Sequence, residues 1–275
     1  MSSASPEPMR WPAEAIWEAV VPLLPGFTVE VLPEIDSTNS ELMRRCRAGL
    51  GEPVLLVAER QSAGRGRMGR SWHSPPGSSL TFSLGLSLAP SDWSGLSLAV
   101  GVSLAETLNA LGVPGLGLKW PNDLWLGQAK LAGILIETAV QGDQRYAVVG
   151  IGINVCEPVP GWRTPVVDAA PAPVAPAWLQ SAAPVAAPAV LGAVVPALVR
   201  DLRAFERQGW PAFATRFARF DALQGRPVRL SDGREGLACG VSAKGALRLQ
   251  TPQGVQEISS GEVSVRPQRS AQTGP

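Results

Sequence analysis

The stretch GRGRMGRSWHSP, residues 64–75, decides the fold class, because its first six residues spell the pattern G-x-G-x-x-G. A dinucleotide-binding fold needs a helix that begins within this pattern and directs its N-terminal N–H groups at a pyrophosphate. Prolines at positions 75 and 76 prevent such a helix, and no G-K-[ST] follows to complete a phosphate-binding P-loop. We therefore predict a loop, here called the Gly-Arg loop (residues 64–75), whose glycines allow close backbone approach and whose arginines bind carboxylate or phosphate.

Composition is typical of a soluble globular protein. The chain has 275 residues, 45% hydrophobic and 17% charged, which suits one large domain and a small one. No apolar run approaches the ~20 residues of a membrane span and no secretory pattern is present, so we expect a cytoplasmic protein. Three widely spaced cysteines argue against a disulfide framework or a zinc site. A net charge of +1 provides no general field for nucleic acids, so any anion site must be local.

Regular elements are predicted on both sides of the Gly-Arg loop. Thr38 and Glu41 fit a capping box that begins a helix at about 39–48. The apolar run 54–58 predicts a buried strand, and the alternation over 80–88 predicts a half-buried one. Helical spacing from residue 96 to Gly112 and three further strands, at 116–120, 131–137 and 146–155, complete a mixed sheet with flanking helices.

The second half of the chain changes character twice. Residues 157–190, here called the Ala/Pro-rich segment, contain prolines that prevent a regular element, so we interpret them as a variable excursion without a site. Helices are predicted at 190–208, with a kink or restart at Pro196, and at 211–223. Short alternating runs separated by Asp-Gly, Lys-Gly and Gln-Gly turns then predict a small antiparallel barrel.

Two further motifs contain residue types that bind anions and metals. Lys119 ends a predicted strand, and Asn122 and Asp123 follow a Trp-Pro turn, a set suited to phosphates and a divalent metal. Lys130 begins an apolar strand in which Gly133 allows a ligand to lie against the backbone. Each has an ordinary structural alternative, since strand-end lysines are usually solvated and strand glycines often mark bulges.

Taken in order, the motifs resemble those of the biotin protein ligase family. The resemblance is strong over residues 36–155 and weaker from there to the sequence GRPV at 225–228. The motifs that carry it are DSTN (36–39), QSAGRGR (61–67), Trp72 with Ser74 and Pro75, KWPND (119–123), KLAGIL (130–135) and GIGIN (150–154).

The resemblance implies an α+β fold and an ATP-dependent ligase. The expected fold is a class II synthetase-like (SH2-like) catalytic domain with a mixed sheet and flanking helices, followed by an SH3-like β-barrel. The family joins biotin to AMP with release of pyrophosphate and transfers it to a lysine of the biotin carboxyl carrier protein of acetyl-CoA carboxylase, using ATP and Mg²⁺. The implied divisions are 1–35 (N-terminal segment), 36–223 (catalytic domain, including the Ala/Pro-rich segment), 224–268 (barrel) and 269–275 (tail).

The resemblance also implies roles for individual residues. Lys130, Arg67 and Lys119 would be catalytic, and Asp123 would bind the metal. The implied biotin set is Ser37, Thr38, Asn39, Gln61, Gly64, Arg65, Gly66, Arg67, Lys130 and Gly133. The implied ATP set is Arg67, Arg70, Trp72, Lys119, Asn122, Asp123 and Asn154. Met68 departs from the family, which often has another arginine there.

Other interpretations stay open at this stage. A lipoate or octanoate ligase or transferase would share the fold, although it would lack the run from Gln61 to Arg67. An RNA-binding role for the Gly-Arg loop is disfavoured by the near-neutral charge and the lack of interleaved aromatic residues. Because only 35 residues precede Asp36, we expect no DNA-binding module of the kind some family members carry, and we expect a monomer or homodimer.

Overall fold

The structure, a computed structural model, describes residues 9–73, 77–141, 144–158, 174–259 and 263–268. A seven-stranded mixed sheet with helices on both faces is followed by a five-stranded antiparallel sheet. The helices are α1 (Ala13–Val20), α2 (Thr38–Arg47), α3 (Leu96–Ala110), α4 (Ala187–Gln208) and α5 (Pro211–Ala218). The strands are β1 (Thr28–Ile35), β2 (Val54–Gln61), β3 (Ser79–Ser87), β4 (Leu116–Lys119), β5 (Asp123–Leu126), β6 (Ala129–Gln141), β7 (Gln144–Asn154), β8 (Pro227–Leu230), β9 (Glu235–Val241), β10 (Leu247–Thr251), β11 (Gly254–Ile258) and β12 (Val265–Pro267).

The large sheet has the strand order β1-β2-β3-β7-β6-β5-β4, in which β1 and β2 are parallel and all other neighbours antiparallel. This arrangement confirms the predicted α+β class. Helices α3 and α4 contact each other and cover one face, where Leu80, Phe82 and Leu84 of β3 join the main core. Helix α2 contacts β2, β3, β6 and β7 on the other face.

Strand β3 is buried on both faces, so the prediction of a half-buried strand was wrong. Its alternating pattern holds small and polar residues where α2 covers the sheet. Thr81 donates to the Ala58 carbonyl at 2.8 Å, and Ser83 contacts residues of α2. Alternation that normally signals solvent on one face here signals a second, polar layer of packing.

The N-terminal segment is part of the sheet unit, which differs from the division predicted at residue 36. Ile16 and Val20 of α1 are buried in the main core, and β1 adds an edge strand beside β2. The sequence TVEVLPEI conceals this strand because it contains Pro33 and two glutamates. An edge position tolerates proline, since one side of the strand needs no ladder hydrogen bonds.

Two predicted boundaries also move. The N-cap of α2 is Ser37, one residue before the predicted cap. Its Oγ accepts a hydrogen bond from the Ser40 N–H at 3.3 Å. Helix α4 begins at Ala187 and continues through Pro196, and α5 ends at Ala218, before the predicted 223. Residues 159–173 of the Ala/Pro-rich segment, together with Ser74 and Pro75, lie outside the described residues.

The C-terminal sheet has the order β11-β10-β9-β8-β12, with every neighbour antiparallel, as the alternating runs predicted. Two buried indoles join it to the large unit: Trp120 Nε1 donates to the Gly245 carbonyl at 3.0 Å and Trp210 Nε1 to the Ser242 carbonyl at 3.1 Å. The main core continues from one sheet to the other. Among the described residues, no helix is long and apolar enough to cross a membrane.

Candidate active site beneath the Gly-Arg loop

An open cleft lies beneath the described part of the Gly-Arg loop, where about 860 Å³ of space, part of it open to solvent, is not filled by protein atoms. It is bounded by the start of α2, the end of β2, the β4–β5 turn and strands β6 and β7. Most of the residues singled out by the sequence line it: Ser37, Thr38, Asn39, Gln61, Arg65, Gly66, Arg67, Arg70, Trp72, Lys119, Asn122, Asp123, Lys130 and Gly133. Gly64 and Asn154 do not line it, although both contact lining residues.

Uncharged polar side chains line one end of the cleft at the N-terminus of α2, beside the Arg65–Glu137 ion pair. Thr38 donates its backbone N–H to Gln61 Oε1 at 2.8 Å, which orients the Gln61 amide. Asn39 donates from Nδ2 to the Leu135 carbonyl and to Glu137, at 3.3 and 3.1 Å. Gly150 makes room for this arrangement, because a Cβ there would overlap Asn39 Oδ1.

Residues 64–73, the described part of the Gly-Arg loop, fold back over the cleft. The Gly66 N–H donates to the Arg70 carbonyl at 2.7 Å, and the Trp72 N–H to the Gly64 carbonyl at 2.8 Å. Met68 at the tip has φ 56° and ψ 38°, and it is the non-glycine residue with positive φ in the described chain. A left-handed conformation at a residue other than glycine is uncommon, so the tip is a locally strained turn.

The two arginines at the start of the loop have different surroundings. Arg65 is half exposed and pairs with Glu137 at 3.0 Å. Arg67 is more enclosed and donates to Asn122 Oδ1 at 3.3 Å. Burial lowers the pKa of Arg67, with Asp123 acting against that shift, but an arginine with this starting value keeps its charge near neutral pH.

Trp72 occupies the space that the strand glycines provide. A Cβ at Gly152 would overlap the indole, and a Cβ at Gly133 would lie 3.1 Å from Trp72 Cζ3. Gly133 was predicted to leave space beside the backbone, and an aromatic side chain occupies that space here. Lys130 Nζ lies 5.6 Å from the indole centroid. Trp72 Nε1 is buried without a hydrogen-bond partner among the described residues, so an acceptor on a ligand would satisfy it.

The other end of the cleft carries charge. Asp123 lies between two lysines, with Oδ1 2.7 Å from Lys130 Nζ and Oδ2 3.3 Å from Lys119 Nζ. Burial would raise the pKa of Asp123, but the two ammonium groups outweigh it and hold that pKa below its usual range. Burial lowers the pKa of Lys119, and Asp123 opposes that shift.

The metal role predicted for Asp123 does not follow from this geometry. Both of its oxygens already accept from ammonium groups. In the parts of the chain that the structure describes, no group of three or more His, Cys, Asp or Glu side chains could hold a metal ion. A Mg²⁺ ion at this site would therefore need nucleotide phosphates as its main ligands, as such ions commonly do.

Amide side chains connect the loops around the charged end. Asn122 donates from Nδ2 to the Ile134 carbonyl at 2.8 Å, which leaves its oxygen for Arg67. Asn154 donates to the Lys130 carbonyl at 3.1 Å and so supports the strand that carries Lys130. Arg70 is exposed at the rim.

Sequence reasoning missed several contributors to the site. Ser83 and Glu137 stand behind the polar end, and Val263 and Ser264 of the C-terminal unit reach the cleft. The Ala/Pro-rich segment was interpreted as having no part in a site, yet the Lys130 N–H donates to the Ala175 carbonyl at 2.8 Å. None of these residues belongs to a local motif, so only their position in space reveals them.

Comparisons with known proteins identify the chain's relatives. The profile of the Biotin/lipoate A/B protein ligase family matches residues 31–154, and that of the Biotin protein ligase C terminal domain matches 224–266. The bifunctional ligase/repressor BirA of Escherichia coli (strain K12) is 38% identical over 260 residues, which cover 88% of this chain and 75% of BirA. The chain belongs to the biotin protein ligase family.

Further relatives agree with this assignment. The biotin–[acetyl-CoA-carboxylase] ligase of Paracoccus denitrificans is 31% identical, covering 85% of this chain and 98% of that protein. A solved structure described as biotin protein ligase from Aquifex aeolicus in complex with biotin and ATP has a TM-score of 0.71 at 30% identity, covering 87% of this chain and 99% of that one. The cleft lies almost entirely within the part matched by the first family profile.

Proposed function

We propose that this ligase activates biotin with ATP to give biotinyl-5'-AMP and pyrophosphate, then transfers the biotinyl group to a lysine of a biotin carboxyl carrier protein of acetyl-CoA carboxylase. The observation that supports it most is the two-ended cleft. Five cationic side chains line it, Arg65, Arg67, Arg70, Lys119 and Lys130, whereas Asp123 is the one carboxylate among the described lining residues and Glu137, behind the lining, pairs with Arg65. A neutral polar end suits a ureido ring, and this excess of positive charge suits a carboxylate meeting a triphosphate.

The first step joins two anions, so positioning and charge should carry most of the catalysis. A biotin carboxylate oxygen attacks the α-phosphorus of ATP, the bond from that phosphorus to the β-phosphate oxygen breaks, and pyrophosphate leaves. Lys130 is proposed to bind the biotin carboxylate, and Lys119, Arg67 and Arg70 to bind phosphate oxygens. Mg²⁺, held mainly by the phosphates, would supply further charge neutralisation.

Asp123 is proposed to keep Lys119 and Lys130 charged and aligned before the anions enter. Both lysines contact its carboxylate, and Lys119 is buried. When phosphate and carboxylate groups arrive, the ammonium groups can exchange partners without crossing to solvent. The metal ligation that the resemblance implied for Asp123 stays a prediction beside this role.

The second step consumes the mixed anhydride. The amine of the target lysine attacks the biotinyl carbonyl carbon, AMP leaves with the bonding electron pair, and the amine loses a proton. The Gly-Arg loop lies over the cleft and is proposed to keep water from the anhydride until the carrier arrives. Replacing Arg67 with alanine should increase escape of the adenylate, measured as labelling of lysines on a bystander protein, and an unchanged escape rate would argue against this role.

The deciding experiment is ATP–pyrophosphate exchange by the purified protein. Biotin should stimulate the exchange, whereas lipoate and octanoate should not. The opposite preference would favour the rival lipoate or octanoate ligase. Replacing Lys130 with alanine should weaken biotin binding at least about thirtyfold in calorimetry, because truncating one partner of a charge pair that the bound ligand encloses typically costs about 2 kcal/mol or more. Unchanged affinity would refute the role given to Lys130.

A further inference from the structure

We infer that Ser83 is a positioning residue that determines whether the cleft accepts or donates a hydrogen bond at Thr38. Ser83 lies on β3 beneath the cleft, is fully buried, and does not line the cleft. Its Oγ lies 2.6 Å from Asn39 Oδ1 and 2.7 Å from Thr38 Oγ1. The inference rests on the proposed function and concerns how biotin would be distinguished from other carboxylic acids.

The orientation of the Asn39 amide is the first step. Asn39 Nδ2 lies 3.1 Å from a Glu137 carboxylate oxygen and 3.3 Å from the Leu135 carbonyl, and both of these groups only accept. Rotating the amide by half a turn would set its oxygen against two acceptors. Asn39 Oδ1 must therefore face Ser83, where it can only accept.

The direction of the two hydroxyl groups follows from proton counting. Ser83 has one hydroxyl proton, and the 2.6 Å contact with Asn39 Oδ1 requires it, because the amide oxygen has none to give. The 2.7 Å contact between Ser83 and Thr38 then requires the Thr38 proton. If Thr38 donated instead to Gln61 Oε1 at 3.2 Å, one of the two shorter contacts would lack a proton.

Thr38 Oγ1 can consequently only accept a hydrogen bond from any further partner, because its own proton is used by Ser83. Gln61 Oε1, held by the Thr38 N–H, is a second acceptor 3.2 Å away. Both residues line the cleft, so its neutral end is arranged to accept hydrogen bonds from N–H groups. A ureido ring supplies such groups. The dithiolane ring of lipoate and the alkyl chain of octanoate supply none and would desolvate the lone pairs of Thr38 Oγ1 without offering a donor, a difference that sites of this kind convert into strong selectivity.

Glu137 stands at the far end of this relay and also pairs with Arg65 of the Gly-Arg loop. One carboxylate therefore orients the hydrogen bonds of the polar end and holds the first arginine of the loop.

The test replaces Ser83 with alanine and with cysteine and measures binding by calorimetry. In Ser83→Ala the Thr38 hydroxyl is free to turn towards Gln61, and Asn39 Oδ1 loses its donor. We expect biotin affinity to fall about 10- to 100-fold, as when a buried polar group is left unpaired. Desthiobiotin, which keeps the ureido group, should lose affinity by the same factor, while ATP affinity stays unchanged. Ser83→Cys, with a weaker donor of similar shape, should lie between wild type and alanine.

Ser103 provides the matched control. It is also a buried serine, but its hydroxyl has no hydrogen-bond partner among the described residues and it lies on α3, away from the cleft. Ser103→Ala should bind biotin as the wild type does. The inference would be overturned if Ser83→Ala bound biotin within about twofold of wild type, or if ATP affinity fell in parallel. Wild-type protein that binds no biotin would instead refute the proposed function.

Discussion

Replacing Asp123 with asparagine should lower the free energy of unfolding near pH 7 by about 3 to 5 kcal/mol, although the side chain keeps its shape. The carboxylate lies 3.3 Å from Lys119 Nζ and 2.7 Å from Lys130 Nζ. The side chains of Asp123 and Lys119 are only 11% and 7% exposed, so water can replace the lost partner of Lys119 only in part.

The upper limit of the loss follows from how Lys119 would respond. The variant can avoid an unpaired buried charge by deprotonating Lys119. An unfolded lysine titrates near 10.4, so deprotonation at pH 7 costs about 3.4 pH units at about 1.36 kcal/mol each, or about 4.6 kcal/mol. Lys130 has 30% of its side chain exposed, and solvent screening makes its contribution small.

The loss should depend on pH with a defined sign. In the variant, the pKa of Lys119 lies well below the unfolded value, so the unfolded state binds more protons between the two values. Stability then rises with pH in that window, by up to about 1.4 kcal/mol per unit, and the variant approaches the wild type as pH nears 10. In the wild type, the lowered pKa of Asp123 gives stability that is present above the unfolded value near 3.9 and is lost as pH falls through the folded one.

Urea unfolding monitored by tryptophan fluorescence at about pH 7, 8 and 9 would measure this difference. The double variant Asp123→Asn, Lys119→Met should recover most of the loss, because an enclosed charge pair replaced by neutral groups leaves no unpaired charge. A single-variant loss below about 1 kcal/mol at pH 7, or one that stays equal at pH 9, would refute the reasoning.

Two further predictions concern the packing of Trp72 against Gly152 and the contact between the two sheets. Gly152→Ala should weaken biotin binding at least about tenfold in calorimetry, because the added Cβ would displace the Trp72 indole. Gly192→Ala is the control, because its nearest neighbour lies 3.4 Å away, and it should bind biotin as the wild type does. Equal biotin affinities in the two variants would contradict the proposed packing of Trp72 against Gly152. Trp120→Phe leaves the Gly245 carbonyl without its hydrogen-bond donor and should lower the free energy of unfolding, measured in urea, by about 1 to 3 kcal/mol. An unchanged midpoint of urea unfolding would show that the hydrogen bond from the indole does not contribute to stability.

Local pattern predicted most of the large sheet and the helices that cover it. Apolar runs and alternation found β2, β3, β4, β6 and β7, and helical spacing found α3 within a residue or two. It missed β1, whose proline and glutamates are tolerated at a sheet edge. It missed β5 because a four-residue strand directly after a Trp-Pro turn has no period to detect.

Most of the residues singled out in the sequence line one cleft, but the contacts among them were not predicted. The Gly-Arg loop, Lys119, Asp123 and Lys130 do converge on one cleft. The contact of Asp123 with both lysines could not be predicted from the sequence, because strand register sets the distances between these side chains. Asp123 pairs with Lys119 across β4 and β5 and with Gly133 across β5 and β6.

By itself the sequence determined which residue types were available: flexible glycines, two lysines eleven residues apart and the cap of a helix. It also showed a local cluster of positive charge in a chain that is nearly neutral as a whole. These are properties of short segments, where composition and spacing are sufficient. The tertiary structure alone decided which of them meet. Ser83 and Glu137, 54 residues apart in the chain, act on the same asparagine because α2 packs against the sheet that contains both β3 and β6. Hydrogen-bond direction is a property of such a closed set of donors and acceptors, so no segment read alone could contain it.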